Sequence, residues 1–484
     1  MEELDIATVT KRSIRGVFAL VSRTFFIQII SLVVITVLYA VLKEDEIGVF
    51  FLVSASIAFL SYFSDIGLAA ALIQKKEALT DEDLKTTFTI QQALVITVCL
   101  IAIGLSGFVG NLYKLESSGV FLFQALVVSF FLSSLKTIPS ILLERSLRFD
   151  KLVIPQVIET LVFNGVVLVL ALKGYGIMSY TYAVLARGLT GLIIIYVIAP
   201  WKIGISISKN VAKKLLSFGI PFQSNSVLAL LKDDLLILYM GTVLPLTQLG
   251  YIGFAQKWAY TPLRLIMDNM IRITFPSFSR LTHDAVALGK AVEKSLFVTV
   301  TLIFPALTGL VILAPYFLQH IPKYQKWEPA LFALTLFAAN AALSSLSTPL
   351  TNALNAIGKV KISLYFMIFW TIATWVLTPL AMYLYGFNGV ALASAVISIS
   401  VIGVIIVVKR YVRFNLFTIL FAPCVATIVM GGVIYYLSMF FASNLLLIFV
   451  MIGVGIAIYF AVMFLLGHKQ LISDFKVIVN SLKR

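Results

Sequence analysis

Fourteen apolar stretches, each about twenty residues or longer, follow one another almost without a break from residue 14 to residue 466. They run over 14–42, 47–74, 84–110, 118–143, 152–172, 177–199, 215–243, 249–278, 290–318, 328–356, 360–385, 389–409, 416–441 and 444–466. A helix needs about 20 residues to cross a hydrocarbon core of about 30 Å, so each stretch is read as a membrane span. The sequence therefore predicts an all-α integral membrane protein of about 14 transmembrane helices. Composition agrees, with 60% hydrophobic and 12% charged residues against about 45–50% and about 25% in soluble domains. No connection is long enough to fold as a separate soluble domain. Several spans exceed 25 residues and contain Pro221, Pro262, Pro305 or Pro349, so kinks and tilt are expected. The polar, acidic start, Met1 to Thr10, leads into a full-length span with more behind it, which argues against a cleaved signal peptide.

Lysine and arginine sort by side. One set of loops and ends carries 25 of them and the alternate loops only 5, namely Lys43, Lys114, Lys173, Lys323 and Lys326. Basic residues accumulate on the cytoplasmic side, so both termini are expected in the cytoplasm of a plasma membrane, bacterial inner or archaeal. Much of the formal +15 charge is thereby topological and does not point to nucleic acid.

The chain also repeats itself. Leu38-Tyr39 and Glu46-Ile47-Gly48-Val49-Phe50 answer to Leu238-Tyr239 and Gln248-Leu249-Gly250-Tyr251-Ile252. Leu143-Glu144-Arg145 answers to Leu354-Asn355-Ala356, and Gly174-Tyr175-Gly176-Ile177 to Gly386-Phe387-Asn388-Gly389-Val390. The offsets lie between 200 and 213 and keep their order. Such internal symmetry marks transporter architectures. It predicts two pseudo-symmetric six-helix lobes, residues 1–200 and 201–413, with two C-terminal helices and a tail in 414–484.

With span ends good to about four residues, seven cations fall clear of them inside spans: Arg23, Lys136, Arg187, Lys232, Lys257, Arg264 and Arg272. Five acids are equally clear of the span ends: Asp65, Glu159, Asp233, Asp234 and Asp268. At about 100° per residue, Lys257, Arg264, Asp268 and Arg272 share an arc of about 80° on one helix. Charges in a membrane are rare and mark sites of function by default. They also read as a structural network. Arg264 and Asp268, like Asp268 and Arg272, stand four apart and can pair along the helix, and Lys232, Asp233 and Asp234 can neutralise Lys257.

The stretch Phe63-Ser64-Asp65-Ile66-Gly67-Leu68-Ala69-Ala70-Ala71-Leu72-Ile73-Gln74, with Lys75-Lys76 after it, resembles a helix-two signature of one transporter group. That group is the polysaccharide branch of the multidrug/oligosaccharidyl-lipid/polysaccharide flippase superfamily. Pro139-Ser140-Ile141-Leu142-Leu143-Glu144-Arg145-Ser146-Leu147-Arg148-Phe149 resembles the end of its helix four. Leu249-Gly250-Tyr251 and Phe275-Pro276-Ser277-Phe278-Ser279 resemble the ends of its helix eight. One departure is Glu144, which precedes Arg145 where members often carry two close arginines.

The resemblance implies a Wzx-type flippase for O-antigen or capsule repeat units. Its substrate would be a polyprenyl-diphosphate-linked oligosaccharide, moved to the outer leaflet by alternating access between the two lobes. Membrane lipid, polysaccharide polymerases and glycosyltransferases are its implied partners, and H⁺ or Na⁺ its coupling ion. A diphosphate suits Arg and Lys, which give charge-assisted hydrogen bonds. Arg23, Arg264 and Arg272 are then the leading substrate contacts, with Lys257 next and Lys136 and Arg187 behind. Asp65, Glu159, Lys232, Asp233, Asp234 and Asp268 are candidates for ion coupling or for the charge network. Two rival readings are an ion-coupled multidrug efflux antiporter of the same superfamily and a membrane polymerase or glycosyltransferase. The small excess of in-span cations disfavours the first, and the short loops disfavour the second.

Other chemistry finds no motif. Cys99 and Cys424 sit alone in apolar runs, and His283, His320 and His468 are scattered, so no metal site is expected. There is no P-loop, and Gly453-Val454-Gly455 lacks the third glycine of a dinucleotide loop and reads as helix packing. No cofactor and no enzymatic activity are expected. Tyr113, Trp201, Tyr324, Trp327 and Tyr411 near span ends read as an interfacial belt.

Overall fold

The computed structural model describes residues 27–75, 77–224, 227–441 and 444–482. The side chains of 63–65, 221–222, 224, 227, 272–273, 441 and 467–482 fall outside that description. The described chain is helical throughout its ordered elements. Among the described residues, eleven helical segments are long and apolar enough to cross a membrane, which makes it a multi-pass membrane protein. They match eleven of the fourteen stretches read from the sequence. The other three are the first, the seventh and the eighth. Of the first, the described part is α1 (Ile27–Val41). The seventh is cut into α10 (Lys209–Ser224), α11 (Val227–Lys232) and α12 (Asp234–Val243), and the eighth is the charged α13 (Leu246–Arg280).

The chain divides into two compact units, residues 1–250 and 251–484. In the first unit, α2 (Glu44–Asp65) packs on α4 (Asp81–Gly104), α6 (Ser117–Ser134) and α12, while α8 (Phe149–Leu172) and α9 (Met178–Ile198) form a hairpin beside α6. Between these, α3 (Leu68–Gln74), α5 (Ser106–Leu112) and α7 (Thr137–Arg145) are short continuations of α2, α4 and α6. The stretch 47–74, read as one span, is thus broken. Ile66 and Gly67 both adopt left-handed backbone, φ 42° and 72°, a conformation that glycine tolerates and a β-branched residue does not. The break is held from outside: a Cβ on Gly67 would lie 2.4 Å from the Gly219 carbonyl oxygen, and one on Gly219 2.4 Å from that of Ile66.

The repeat-related glycines meet as well. A Cβ on Gly48 would come within 1.9 Å of the Leu246 oxygen, and one on Gly250 within 2.0 Å of the Glu44 oxygen. Backbone therefore crosses backbone where the two matched motifs begin. Beside this crossing Glu46 accepts from the Lys43 amide at 2.7 Å, which caps α2, and from the Ile177 amide at 3.1 Å. That second bond ties the start of α2 to the start of α9.

In the second unit α14 (Ala285–His320) is the central element, packed on α15 (Leu331–Ala356), α19 (Leu416–Phe441) and α20 (Leu445–Leu482). Asp284 caps it by accepting from the Val286 and Ala287 amides at 3.0 and 2.9 Å. Val292, Leu296, Val300, Leu350, Val404 and Ala426 are fully buried between these helices and α18 (Val401–Lys409). The Gly455 backbone seats against Ile434, so this glycine of α20 serves packing, whereas a Cβ on Gly453 would meet nothing. By contrast α16 (Val360–Tyr385), which pairs with α17 (Asn388–Ser398), is nearly all surface. Its outward side chains, such as Phe369, Ile372 and Val376, are apolar as lipid contact requires. Tyr324 and Trp327 depart from the belt reading. Both are buried, with the Trp327 ring stacked on Phe254 at 4.7 Å.

Candidate functional site

Two groups of the in-span charges can be placed. The first is assembled at the break between α6 and α7, which leaves Leu135 and Lys136 between two helices. Side chains close that break: the Tyr196 hydroxyl donates to the Leu135 carbonyl at 3.1 Å, Ser134 donates to Gln92 at 3.1 Å, and Gln91 donates to Thr137 at 3.0 Å. From here the Lys136 ammonium reaches Glu159 on α8 at 2.7 Å. Arg187 on α9 approaches the other carboxylate oxygen at 3.7 Å, its guanidinium 5.9 Å from the Phe163 ring centre. Gly191, one turn beyond Arg187, makes room for the acid, since a Cβ there would lie 1.9 Å from the Glu159 carboxylate. Glu159 is buried and Lys136 largely so, at 10% and 15% side-chain exposure, whereas Arg187 is half open at 52%. Two cations thus surround one carboxylate, and the excess charge sits on the exposed member.

The second group lies along α13. Lys257, Arg264 and Asp268 are all exposed. Among the described residues no ion pair joins any of the three to another side chain, so Arg264 and Asp268 do not form the four-apart pair their spacing permits. Just upstream, Lys232 pairs with its own neighbour Asp233 at 2.5 Å, and Asp234 opens α12 half-buried. Arg23 and the side chains of Asp65 and Arg272 lie outside the described residues.

What residue-by-residue reading missed is the physical link between the two motif stretches. Arg145, at the end of α7, donates to the carbonyls of Leu72 at 2.7 Å and Lys75 at 2.5 Å, and also to that of Glu77. It thereby satisfies the orphan carbonyls at the C-terminal end of α3 and places positive charge at the negative pole of that helix. Glu144 takes no part in this, and burial raises its carboxyl above the usual range. Lys75 turns the other way, to Asp83 at 2.6 Å, and Asp83 also closes the cap of α4 by accepting from the Thr80 amide at 2.8 Å. Leu68, Leu72, Leu84, Phe88, Ile138 and Ile141 pack beneath as one cluster. The signal was present in the motifs themselves, whose charged residues stand at helix ends.

Residues 37–332 match the model of a family described as "Polysaccharide biosynthesis protein". The lipopolysaccharide biosynthesis protein WzxC of Escherichia coli (strain K12) is 25% identical over 347 residues, 71% of this chain and 69% of WzxC. The succinoglycan biosynthesis transport protein ExoT of Rhizobium meliloti (strain 1021) is 23% identical over 58% of this chain and 57% of its own. Among solved structures, the inward closed conformation of the lipid II flippase MurJ superposes with a TM-score of 0.76 at 16% identity, covering 95% of this chain and all of that one. The fold is therefore the one MurJ has.

Proposed function

Because the chain belongs to the polysaccharide biosynthesis protein family, we propose that it flips a polyprenyl-diphosphate-linked oligosaccharide repeat unit across the membrane for surface polysaccharide assembly. The reading draws on the names of WzxC and ExoT and on the fold shared with a flippase. One observation of the molecule carries it: the charged helix α13 exposes Lys257 and Arg264, and no described ion pair joins either to another side chain. Charge of this kind is not stable against hydrocarbon, so this face lines water and can receive a polar head group. Guanidinium and ammonium groups there match a diphosphate in charge and in hydrogen-bond geometry.

In this reading Arg23, Arg264 and Arg272, with Lys257, hold the diphosphate. Lys136 is locked by Glu159, and the half-exposed Arg187 is an additional cation. Asp65, Asp234 and Asp268 are the acids through which H⁺ or Na⁺ would drive the cycle by alternating access, with both termini cytoplasmic. The lobes would be 1–200 and 201–413, with 414–484 added. Translocation makes and breaks no covalent bond, so the chain acts as a transporter and not an enzyme. Polymerases and glycosyltransferases would supply and consume its substrate.

The test is reconstitution in liposomes with a lipid-linked oligosaccharide, reading the fraction of sugar exposed on the far side. Arg264→Ala and Arg23→Ala should each slow translocation by about tenfold or more, the worth of one charge-assisted hydrogen bond at about 1.5–3 kcal/mol. Unchanged rates in both would remove the cationic site.

A further inference from the structure

Between α9 and α10 the chain leaves helix and runs through Trp201-Lys202-Ile203-Gly204-Ile205-Ser206-Ile207-Ser208 without regular structure. Branched apolar residues alternate with small or polar ones, the period-2 pattern of a segment with two different faces. One edge is fastened to α4. The Ser206 and Ser208 amides donate to the hydroxyls of Thr89 and Thr86 at 3.1 and 3.2 Å, and these two threonines are neighbours on one helix face. Trp201 packs on Phe88 with ring centres 5.1 Å apart, and Gly204 gives way to the Lys85 stem, which a Cβ there would meet at 2.5 Å. Away from α4, Ile203, Ile205 and Ile207 stand out at 58%, 83% and 67% exposure. An aliphatic row this open is not a face that water favours.

Its position decides what covers it. Thr86 and Thr89 lie five and eight residues past Asp81, about 8 and 12 Å along α4. There the charged first turn, with Asp81, Glu82, Asp83 and Lys85, gives way to the apolar body of a span. The segment therefore lies at the depth where polar head groups meet acyl chains. Lys202, Lys209, Lys213 and Lys214 flank the row, all exposed, and basic side chains beside an apolar strip fit an anionic lipid surface.

We propose that residues 199–208 are a lipid-seated strap. Ile203, Ile205 and Ile207 insert into the acyl boundary of the adjacent leaflet, and the four lysines hold anionic phospholipid head groups. The Thr86 and Thr89 hydroxyls make the strap possible, because they satisfy backbone donors that would otherwise face a poorly hydrated layer. This inference is independent of what the protein transports.

The test uses full-length protein in nanodiscs of phosphatidylglycerol and phosphatidylcholine, with Cys99→Ala and Cys424→Ala as background. Bimane is attached to Ile203→Cys, Ile205→Cys, Ile207→Cys, Lys202→Cys or Ser206→Cys. Dibrominated phospholipid should quench the three isoleucine positions at least twofold more than Lys202 and Ser206, and aqueous iodide should quench Lys202 most. Lys202→Gln with Lys209→Gln, Lys213→Gln and Lys214→Gln should remove the dependence of lipid quenching on phosphatidylglycerol. Thermal unfolding of each variant confirms that it is folded. Iodide quenching at the isoleucines equal to that at Lys202 overturns the proposal. So does shielding from both quenchers, which would mean that a protein surface or a second copy covers the row.

Discussion

The Lys136–Glu159–Arg187 group makes a quantitative demand. Lys136 and Glu159 are nearly buried and 2.7 Å apart, and removing one partner of such a pair strands the other charge at about 3–5 kcal/mol. Arg187 is half exposed and 3.7 Å away, so its contribution to stability is expected at about 0.2–1 kcal/mol. Lys136→Met should therefore destabilise several times more than Arg187→Met. The double change Lys136→Met with Glu159→Leu removes both charges and fills the space with apolar atoms. It should be milder than Lys136→Met alone, with a coupling of about 2 kcal/mol or more between the two sites. Denaturant unfolding in detergent reads this through the buried Cys99 thiol, followed with a thiol-reactive dye in a Cys424→Ala background. The double variant should also keep translocation near the parent rate, since its role is to hold α7, α8 and α9 together. Additive effects of the two changes, or an Arg187→Met cost equal to that of Lys136→Met, would refute the assignment.

Close backbone crossings give a second set of expectations. Gly48→Ala or Gly250→Ala must push carbonyl groups aside from about 2 Å, so each should cost about 1–3 kcal/mol in the same unfolding assay. Arg145→Gln should release the Leu72, Lys75 and Glu77 carbonyls, with a loss of about 1.5–3 kcal/mol. Hydrogen exchange should then quicken in α3 and the turn after it, while α8 and α9 stay protected.

The membrane class was legible because hydrocarbon leaves a chain few options: runs of twenty apolar residues read as helices with little help from context. Breaks inside spans were less legible. Nothing local marks Ile66 as left-handed, and its conformation depends on Gly219, some 150 residues away, lying against Gly67. Gly48 and Gly250 were visible only as members of a repeat, and their contact is a tertiary fact. Trp327 read as an interfacial anchor from its place near a span end, but the facing ring of Phe254 buries it. Among the charges, spacing found the face of α13 and could not decide whether Arg264 and Asp268 pair. Spacing also gave no hint that Glu159 would gather Lys136 and Arg187, which come from different helices.

These placements separate two uses of charge in one membrane protein. Arg145, Lys75 and Asp83 stand at helix ends, and each is consumed by a carbonyl, a cap or an opposite charge within hydrogen-bond distance. Lys136 and Glu159 are consumed by each other. Such groups stabilise the fold only while complete, and a substrate that borrowed one would leave its partner stranded in a poorly solvated place. A transporter must instead bind and release its cargo at modest cost, so its binding charges have to be solvated in the empty state and free of tight protein partners. Among the described in-span cations, Arg264 is exposed and in no described ion pair, Lys257 is exposed and likewise in none, and Arg187 is half exposed beside Glu159. Hence a diphosphate should be sought on the exposed face of α13 before the buried pair in the first unit, although the buried pair has the shorter contacts.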